Sequence, residues 1–331
     1  MSTKTVLLLC GGGGSEHEIS LVSVKHIKEC LMALPYVKLI TIEINKQGEW
    51  VDENGRKYLL DANAYLRSFA QDGDPGIKID VAVPCIHGYP GETGDIQSYF
   101  EMIHLPYLGC NSETSKMCFN KITTKLWASA LGVANTPFEF ITNDGPENLA
   151  KVKEFQAKHG DLVVKASSQG SSVGCYLVEK GQDPNPTVKK AFGFSPFVLI
   201  EKRMRPRELE VSAYEFDGKL HISYPGEIIC PSSFYSYEEK YSSGSHTTTS
   251  TKAENLTPDQ VALITDYSTK LFHGLKLRHL SRIDYFLDNG VIYLNEINTF
   301  PGLTPISMFP KMMEANGHLF KDFLDQHISS L

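Results

Sequence analysis

Four side chains near the end of the chain have types suited to binding a hard cation: Arg282, Asp284, Glu296 and Asn298. They fall in RIDYFLDNGVIYLNEINTFPG, where β-branched and aromatic residues flank Asp288-Asn289-Gly290, so a hairpin of two antiparallel strands is expected. Side chains alternate faces along a strand. With all of Asp288, Asn289 and Gly290 in the loop, Leu287 pairs with Val291, Arg282 lies opposite Glu296, and Asp284 sits diagonal to Glu296 on the same face. A two-residue Asn-Gly loop would move the pairing by one and send Asp284 and Glu296 to opposite faces. The three-residue loop is favoured because it gathers Arg282, Asp284, Glu296 and Asn298 and leaves Ile283, Tyr285 and Leu287 for the other face. Mg²⁺ takes one or two carboxylates plus waters and substrate phosphate oxygens, which fits such a cluster. The competing reading is a surface hairpin with solvated charges.

Three further stretches carry chemistry. CGGGGSEHE follows an apolar run and fits a tight strand-to-helix turn or a ligand loop, with Glu16 placed for a ligand. It is a poor dinucleotide fingerprint, since Glu16 stands where the third glycine belongs. KASSQGSSVG, from Lys165 to Gly174, offers backbone N–H groups and the hydroxyls of Ser171 and Ser172 to an anion, with the Lys165 ammonium facing the loop. A flexible linker is the alternative there. In FVLIEKRMRPRELEV, the backbone from Glu201 to Met204 could pair with an adenine edge, and Glu208 could accept a ribose hydroxyl.

The elements that must position these residues read as an α/β chain. TVLLLC, the glycine loop and a helical pattern from Ile19 to Leu34 open a parallel sheet wound by helices, continued by the strands VKLITIEIN and KIDVAVPCIHG. Ser115 to Leu131 reads as one helix with Lys121 and Lys125 a turn apart, stopped by Gly132. DLVVK, GCYLVEK and FVLIEKRM suggest a smaller mixed sheet, and ELEVSAYEFDGKLHISY a hairpin at Asp217-Gly218. Phe234 to Asn255 is polar and aperiodic, as in a lid. Thr257-Pro258-Asp259-Gln260 is a capping box that starts a helix ending near Gly274. A methionine-rich helix follows the hairpin.

Composition bounds the partners. The 331 residues allow two or three domains, and a net charge of −7 argues against nucleic acid as the main partner. No apolar run is long enough for a membrane span, and Val6 to Cys10 is too short for a signal-peptide core. Seven cysteines without CxxC spacing suggest reduced thiols in a cytoplasm.

In order along nearly the whole chain, GGGGSEHEISL, HGYPGETGDIQ, PYLGCNSETSKMCFNK, KASSQGSSVG, YSYEEKY and RIDYF…NEINTFPGLTPIS resemble the motifs of ATP-grasp carboxylate-amine ligases, specifically the D-alanine–D-alanine ligase family. The resemblance implies an ATP-grasp fold: an N-terminal Rossmann-like parallel-sheet domain (1–114), a central subdomain (115–212), and a C-terminal domain (213–331) with the metal site and a lid loop at 234–255. It implies transfer of the ATP γ-phosphoryl group to one D-alanine carboxylate and attack by the amine of a second, for peptidoglycan precursor synthesis. Ligation to D-serine, or another carboxylate-amine pair, is the alternative.

ATP and two Mg²⁺ or Mn²⁺ ions are the implied cofactors, with K⁺ an optional one, and a cytoplasmic homodimer is the implied setting. By resemblance Lys121, Lys165, Gly170, Ser172, Glu201, Lys202, Met204 and Glu208 hold ATP, and Asp284, Glu296 and Asn298 the metals. Arg282 and the Gly302 N–H would stabilise the tetrahedral oxyanion, while Glu16, Ser171 and Tyr241 form a hydrogen-bonded triad. His87, Lys240, Ser307 and Met308 would contact substrate. Thr93, Asn120, Ala166 and Gln169 depart from the family pattern. Tyr241 is retained, which favours an amine nucleophile, and Met308 stands where leucine is frequent, which leaves D-serine open as a second substrate. A nucleotide-binding oxidoreductase is favoured by the first glycine loop alone. A silent ATP-grasp binding module would have lost Arg282 or a metal ligand.

Overall fold

Strand β1 (Lys4–Gly11) buries Val6 through Leu9 completely, and the glycine loop turns the chain from it into helix α1 (His17–Met32). The computed structural model describes residues 2–70, 73–229 and 247–331, which form three sheets. In the first, β1 is flanked in parallel by β2 (Val37–Ile44) and β7 (Val81–Pro84). An antiparallel meander of β3 (Trp50–Val51), β4 (Lys57–Leu60), β5 (Tyr65–Ser68) and β6 (Ile77–Lys78) extends β2, so the sheet is only partly parallel. Tight turns join these strands, and parallel pairing needs longer crossovers. One face of β1 packs Leu7 and Leu9 against Phe100 of α2 (Asp95–Met102).

The single helix expected from Ser115 to Leu131 is two, α3 (Ser112–Phe119) and α4 (Lys121–Ala130). The chain leaves helical geometry at Asn120, with φ −85° and ψ 105°, and the Asn120 side chain accepts from the N–H groups of Ile122 and Thr123. A side-chain oxygen that satisfies these orphan donors restarts the helix. Lys121 therefore heads α4.

The second sheet has the order β10-β9-β11-β8, from β8 (Phe138–Ile141), β9 (Leu162–Ala166), β10 (Cys175–Val178) and β11 (Val198–Lys202). Every pairing is antiparallel, rather than mixed as the sequence suggested. Leu162, Val164, Val198 and Ile200 enter a core with Val152 of α5 (Pro146–His159) and Val188 of α6 (Asn185–Phe192). Strand alternation then turns Val163, Lys165 and Glu201 to the opposite face, where they line a cavity.

The third sheet runs β15-β14-β12-β16-β17, with β13 (Lys219–Ile222) on β12 (Arg207–Phe216). Its other strands are β14 (Gly226–Ile229), β15 (Thr248–Ser250), β16 (Leu280–Asp288) and β17 (Val291–Asn298). Helix α7 (Pro258–Gly274) begins with the expected Thr257/Gln260 capping box and covers Leu209, Ile283, Tyr285 and Leu294. From α8 (Met308–Ala315) and α9 (Phe320–Ser330), Phe309, Phe320, Phe323 and Leu324 share one core with Val6, Leu8, Ile27 and Leu31 of the first unit. Among the described residues no helix is long and apolar enough to cross a membrane, and the six described cysteines form no disulfide.

The β16–β17 hairpin differs from expectation in an informative way. Asp288 pairs with Val291, so the loop is the two-residue Asn289-Gly290, with φ 49° and 81°. Two consecutive left-handed residues are the signature of the hairpin turn that Asn-Gly favours. By that register alone Asp284 and Glu296 would face apart. The ladder shifts between Tyr285, paired with Leu294, and Asp284, paired with Glu296, so that Asn295 is an extra residue in a β-bulge. The bulge brings Asp284 directly opposite Glu296 and Arg282 opposite Asn298. The expected constellation exists, but the expected loop does not create it.

Candidate active site

The site-bearing face of β16 is crowded with charge. The Arg282 guanidinium donates twice to Asp284, at 2.8 Å to each carboxylate oxygen, and its Nε lies 3.3 Å from Glu210 Oε1 on the neighbouring β12. Asn298 Nδ2 adds a third bond to Asp284 Oδ2 at 3.0 Å. Burial works against the Arg282 charge, but Asp284 and Glu210 outweigh it and hold its pKa well above the ordinary value. Arg282 is thus a fixed cation.

Facing this sheet across a cavity are two lysines from the central unit. Lys121, at the head of α4, has its Nζ 3.4 Å from Glu296 Oε2 and donates to the Gln169 carbonyl at 2.8 Å. Lys165 Nζ lies 2.5 Å from Glu201 Oε2. The cavity walls include Lys121, Lys165, Ser172, Lys202, Met204, Glu208 and Glu296, with Glu201 at the base. The N–H groups of Lys202 and Arg203 are taken by the carbonyls of Pro137 and Asp161, which leaves Met204 to present its N–H at the strand exit.

The loop after β9 reaches the first unit. Ser171 Oγ donates to Glu16 Oε1 at 2.5 Å, with Ser171 and Ser172 both left-handed at φ 49° and 60°. Gly170 is tight against the same carboxylate: a Cβ there would lie 2.3 Å from Glu16 Oε2. Gly170 and Glu16 border a second cavity of about 380 Å³ rather than the first.

The other sequence-derived residues are distributed around these. His87 is buried, its ring nitrogens held by Ser23 Oγ at 2.9 Å and the Phe300 carbonyl at 3.2 Å, and burial lowers its pKa. Ser307 precedes α8 and its Oγ contacts Thr304 Oγ1 at 2.8 Å. Gly302 adjoins that hydroxyl, where a Cβ would come within 3.1 Å of Ser307 Oγ. Met308 is buried with Ile228 and Met312. Lys240, Tyr241 and the lid loop up to residue 246 lie outside the described residues, while residues 248–250 form β15.

Two residues were missed by sequence reasoning. Glu92 is half-buried, accepts the Gly88 N–H at 2.9 Å, and has its carboxyl pushed up to about 8, chiefly by desolvation and then by Glu16. Its position in Gly-Glu-Thr-Gly was a usable signal. Lys125 is almost wholly buried, with Nζ 2.7 Å from Glu201 Oε1. Helix periodicity alone could not distinguish it from a solvated lysine.

The donor set suits a hard divalent ion. Asp284, Glu296 and Asn298 present oxygens on one face, already opposed by cations that a metal could displace. Among the described residues no group of three or more His, Cys, Asp and Glu forms a metal cage.

Comparison with known proteins gives a consistent result. Residues 5–110 match the family described as D-ala D-ala ligase N-terminus, and residues 126–329 that described as D-ala D-ala ligase C-terminus. The chain is 53% identical over 332 residues to a D-alanine–D-alanine ligase of Vibrio cholerae serotype O1, covering all of both. The solved structure of D-alanyl-alanine synthetase A from Vibrio cholerae is similar over 100% of this chain and 98% of that one, with TM-score 0.93 and 53% identity. A D-Ala:D-Ser ligase from Enterococcus faecalis is similar over 99% of each chain, with TM-score 0.87 and 25% identity.

Proposed function

The chain belongs to the D-alanine–D-alanine ligase family, and on that premise we propose that it joins two D-alanines into D-alanyl-D-alanine in an ATP-dependent reaction that supplies peptidoglycan precursors. The observation that carries this reading is that Glu296, which shares a sheet face with Arg282, Asp284 and Asn298, lines one cavity together with Lys121 and Lys165. A carboxylate and an amine condense only after the carboxylate is activated, and phosphoryl transfer needs its anionic oxygens clamped by fixed positive charge.

In this reading ATP lies in the cavity between the second and third sheets. Met204 N–H meets the adenine edge, Lys202 borders it, and Glu208 accepts from the ribose. Lys121, Lys165 and Ser172 surround the phosphates, and Gly170 of the same loop borders the adjoining second cavity. Asp284, Glu296 and Asn298 would hold Mg²⁺ or Mn²⁺, which would supply positive charge to neutralise the phosphates during transfer. Arg282 and the Gly302 N–H are aimed at the oxyanion that forms when the second amine attacks the acyl phosphate. Glu16 holds the first ammonium, with His87 near that substrate and Ser307 at the α8 terminus toward the second carboxylate. The Glu16–Ser171 hydrogen bond ties the first unit to the phosphate loop, and Tyr241 and Lys240 would join it from the lid. We keep a division near 1–114, 115–212 and 213–331, with the last boundary falling inside β12 (Arg207–Phe216) of the third sheet, and a cytoplasmic homodimer is the assembly we expect.

The test is ADP release with ATP and Mg²⁺ on D-alanine, compared with L-alanine and with D-alanine plus D-serine or D-lactate, and product identification by mass. D-alanyl-D-alanine formed only with D-alanine supports the reading. Mixed dipeptide as the main product would shift it to D-serine ligation, and absence of turnover with every acceptor would overturn it.

A further inference from the structure

Beneath the cavity lies a group the reaction scheme above leaves unused. Lys125 sits one turn after Lys121 on α4, yet its side chain is 1% exposed. Its Nζ is 2.7 Å from Glu201 Oε1 and donates to Thr136 Oγ1 at 2.9 Å. Thr136 in turn donates to Glu201. The other Glu201 oxygen lies 2.5 Å from Lys165 Nζ. One buried carboxylate is therefore bracketed by two ammonium groups, of which only Lys165 lines the cavity.

Charge counting decides what the inner lysine does. Glu201 with Lys165 alone is a neutral pair, and a neutral pair attracts a phosphate weakly. With Lys125 included, the cluster carries one net positive charge, and the group at the cavity wall is Lys165. Burial opposes the Glu201 charge, but Lys125 and Lys165 together hold its pKa far below the ordinary carboxylate range. Burial lowers the Lys125 pKa, and the adjoining Glu201 charge opposes that fall. Stability alone is a weak reason for such a lysine, since a buried ion pair seldom outperforms apolar packing of the same volume.

We propose that Lys125 is a positioning residue for the nucleotide: it neutralises Glu201 from below, so that Lys165 faces the ATP phosphates as an uncompensated cation. This rests on the reading of the cavity as the ATP site. The two lysines thus divide the work. Lys165 meets the ligand, and Lys125 meets only the acid that would otherwise cancel it.

The experiment is calorimetric binding of ADP with Mg²⁺ to the full chain, in the wild type, Lys125→Met and Lys125→Met/Glu201→Gln, alongside the KM for ATP. Lys125→Met is expected to weaken binding about tenfold and raise the KM for ATP in parallel, with kcat changed far less. The double variant, which removes acid and counter-charge together, is expected to bind at least about threefold more tightly than Lys125→Met. A lysine that only fills space, with no bearing on the Glu201 charge, predicts no such rescue, and a lysine that only stabilises the fold predicts a lowered Tm with no change in the KM for ATP. Unchanged binding in Lys125→Met, or a double variant as weak as the single, overturns the inference. Should Lys125→Met not fold, Lys125→Gln is measured in its place and read in the same way. A wild-type chain that binds no magnesium nucleotide overturns the ATP reading itself, and this inference with it.

Discussion

Arg282 is held by two hydrogen bonds that it donates to Asp284 and by Glu210 alongside, so its guanidinium is oriented before any substrate arrives. Preorganised donors of this kind act most on the charge that develops in the transition state. Replacing Arg282 by Lys, which loses the bidentate fork but keeps the charge, is expected to lower kcat by ~10²–10³-fold with little change in nucleotide affinity. Steady-state kinetics beside ADP binding separates the two effects, and an equal loss in both would assign Arg282 to ATP binding instead. The residue types of this cluster were legible in the sequence, because Arg, Asp, Glu and Asn on strand-forming stretches need a reason. The partnerships were less so. Glu210 and Lys125 come from elements distant in the chain, and nothing local to either residue announces what it will touch.

At the scale of elements, the β16–β17 hairpin depends on a turn and a bulge acting together. Gly290 has φ 81°, and a Cβ there would meet nothing within 4 Å, so Gly290→Ala probes backbone strain alone. It is expected to cost about 1 kcal/mol in denaturant unfolding while leaving catalysis nearly intact. A loss of activity without loss of stability would contradict that assignment. The link between the first and third units is of another kind. His279 Nδ1 accepts the Gly109 N–H at 2.9 Å, which requires the neutral ring, and burial followed by His327 and Arg278 holds its pKa down at about 3. A base with a depressed folded-state pKa contributes its full stability above its ordinary value, near 6.5, and loses it as pH falls toward 3. Thermal melts of the wild type should therefore decline more steeply from pH 6.5 to 4 than those of His279→Asn, whose amide oxygen can accept the same N–H and does not titrate. Parallel curves would show that this joint does not set the acid limb.

For the whole molecule, the cavity lies between two sheets: its carboxylates come from both, and its cations from the second sheet and α4. A ligand that engages both walls stabilises the folded chain in proportion to its saturation. ADP at a hundred times its Kd should add about 2.7 kcal/mol in the presence of Mg²⁺, read as a rise in Tm. Chelating the metal should remove most of that rise, since Asp284 and Glu296 would then face phosphate oxygens unneutralised. A shift that survives chelation would mean that the lysines alone hold the nucleotide.

The sequence by itself determined the order of motifs, the glycine-loop opening, the capping box at Thr257 and the choice of side chains for cation and phosphate chemistry. These are local signals, carried by residue type and short-range periodicity. It misjudged the break at Asn120, the antiparallel meander and the hairpin loop. Each of those turns on a hydrogen-bonding option that short-range pattern leaves open. Only the tertiary structure decided that a bulge at Asn295 would return Glu296 to the face of Asp284, and that Lys125 would end beneath Lys165. The physical reason is that register and burial are set by what a strand or helix packs against, and those partners are distant in the chain.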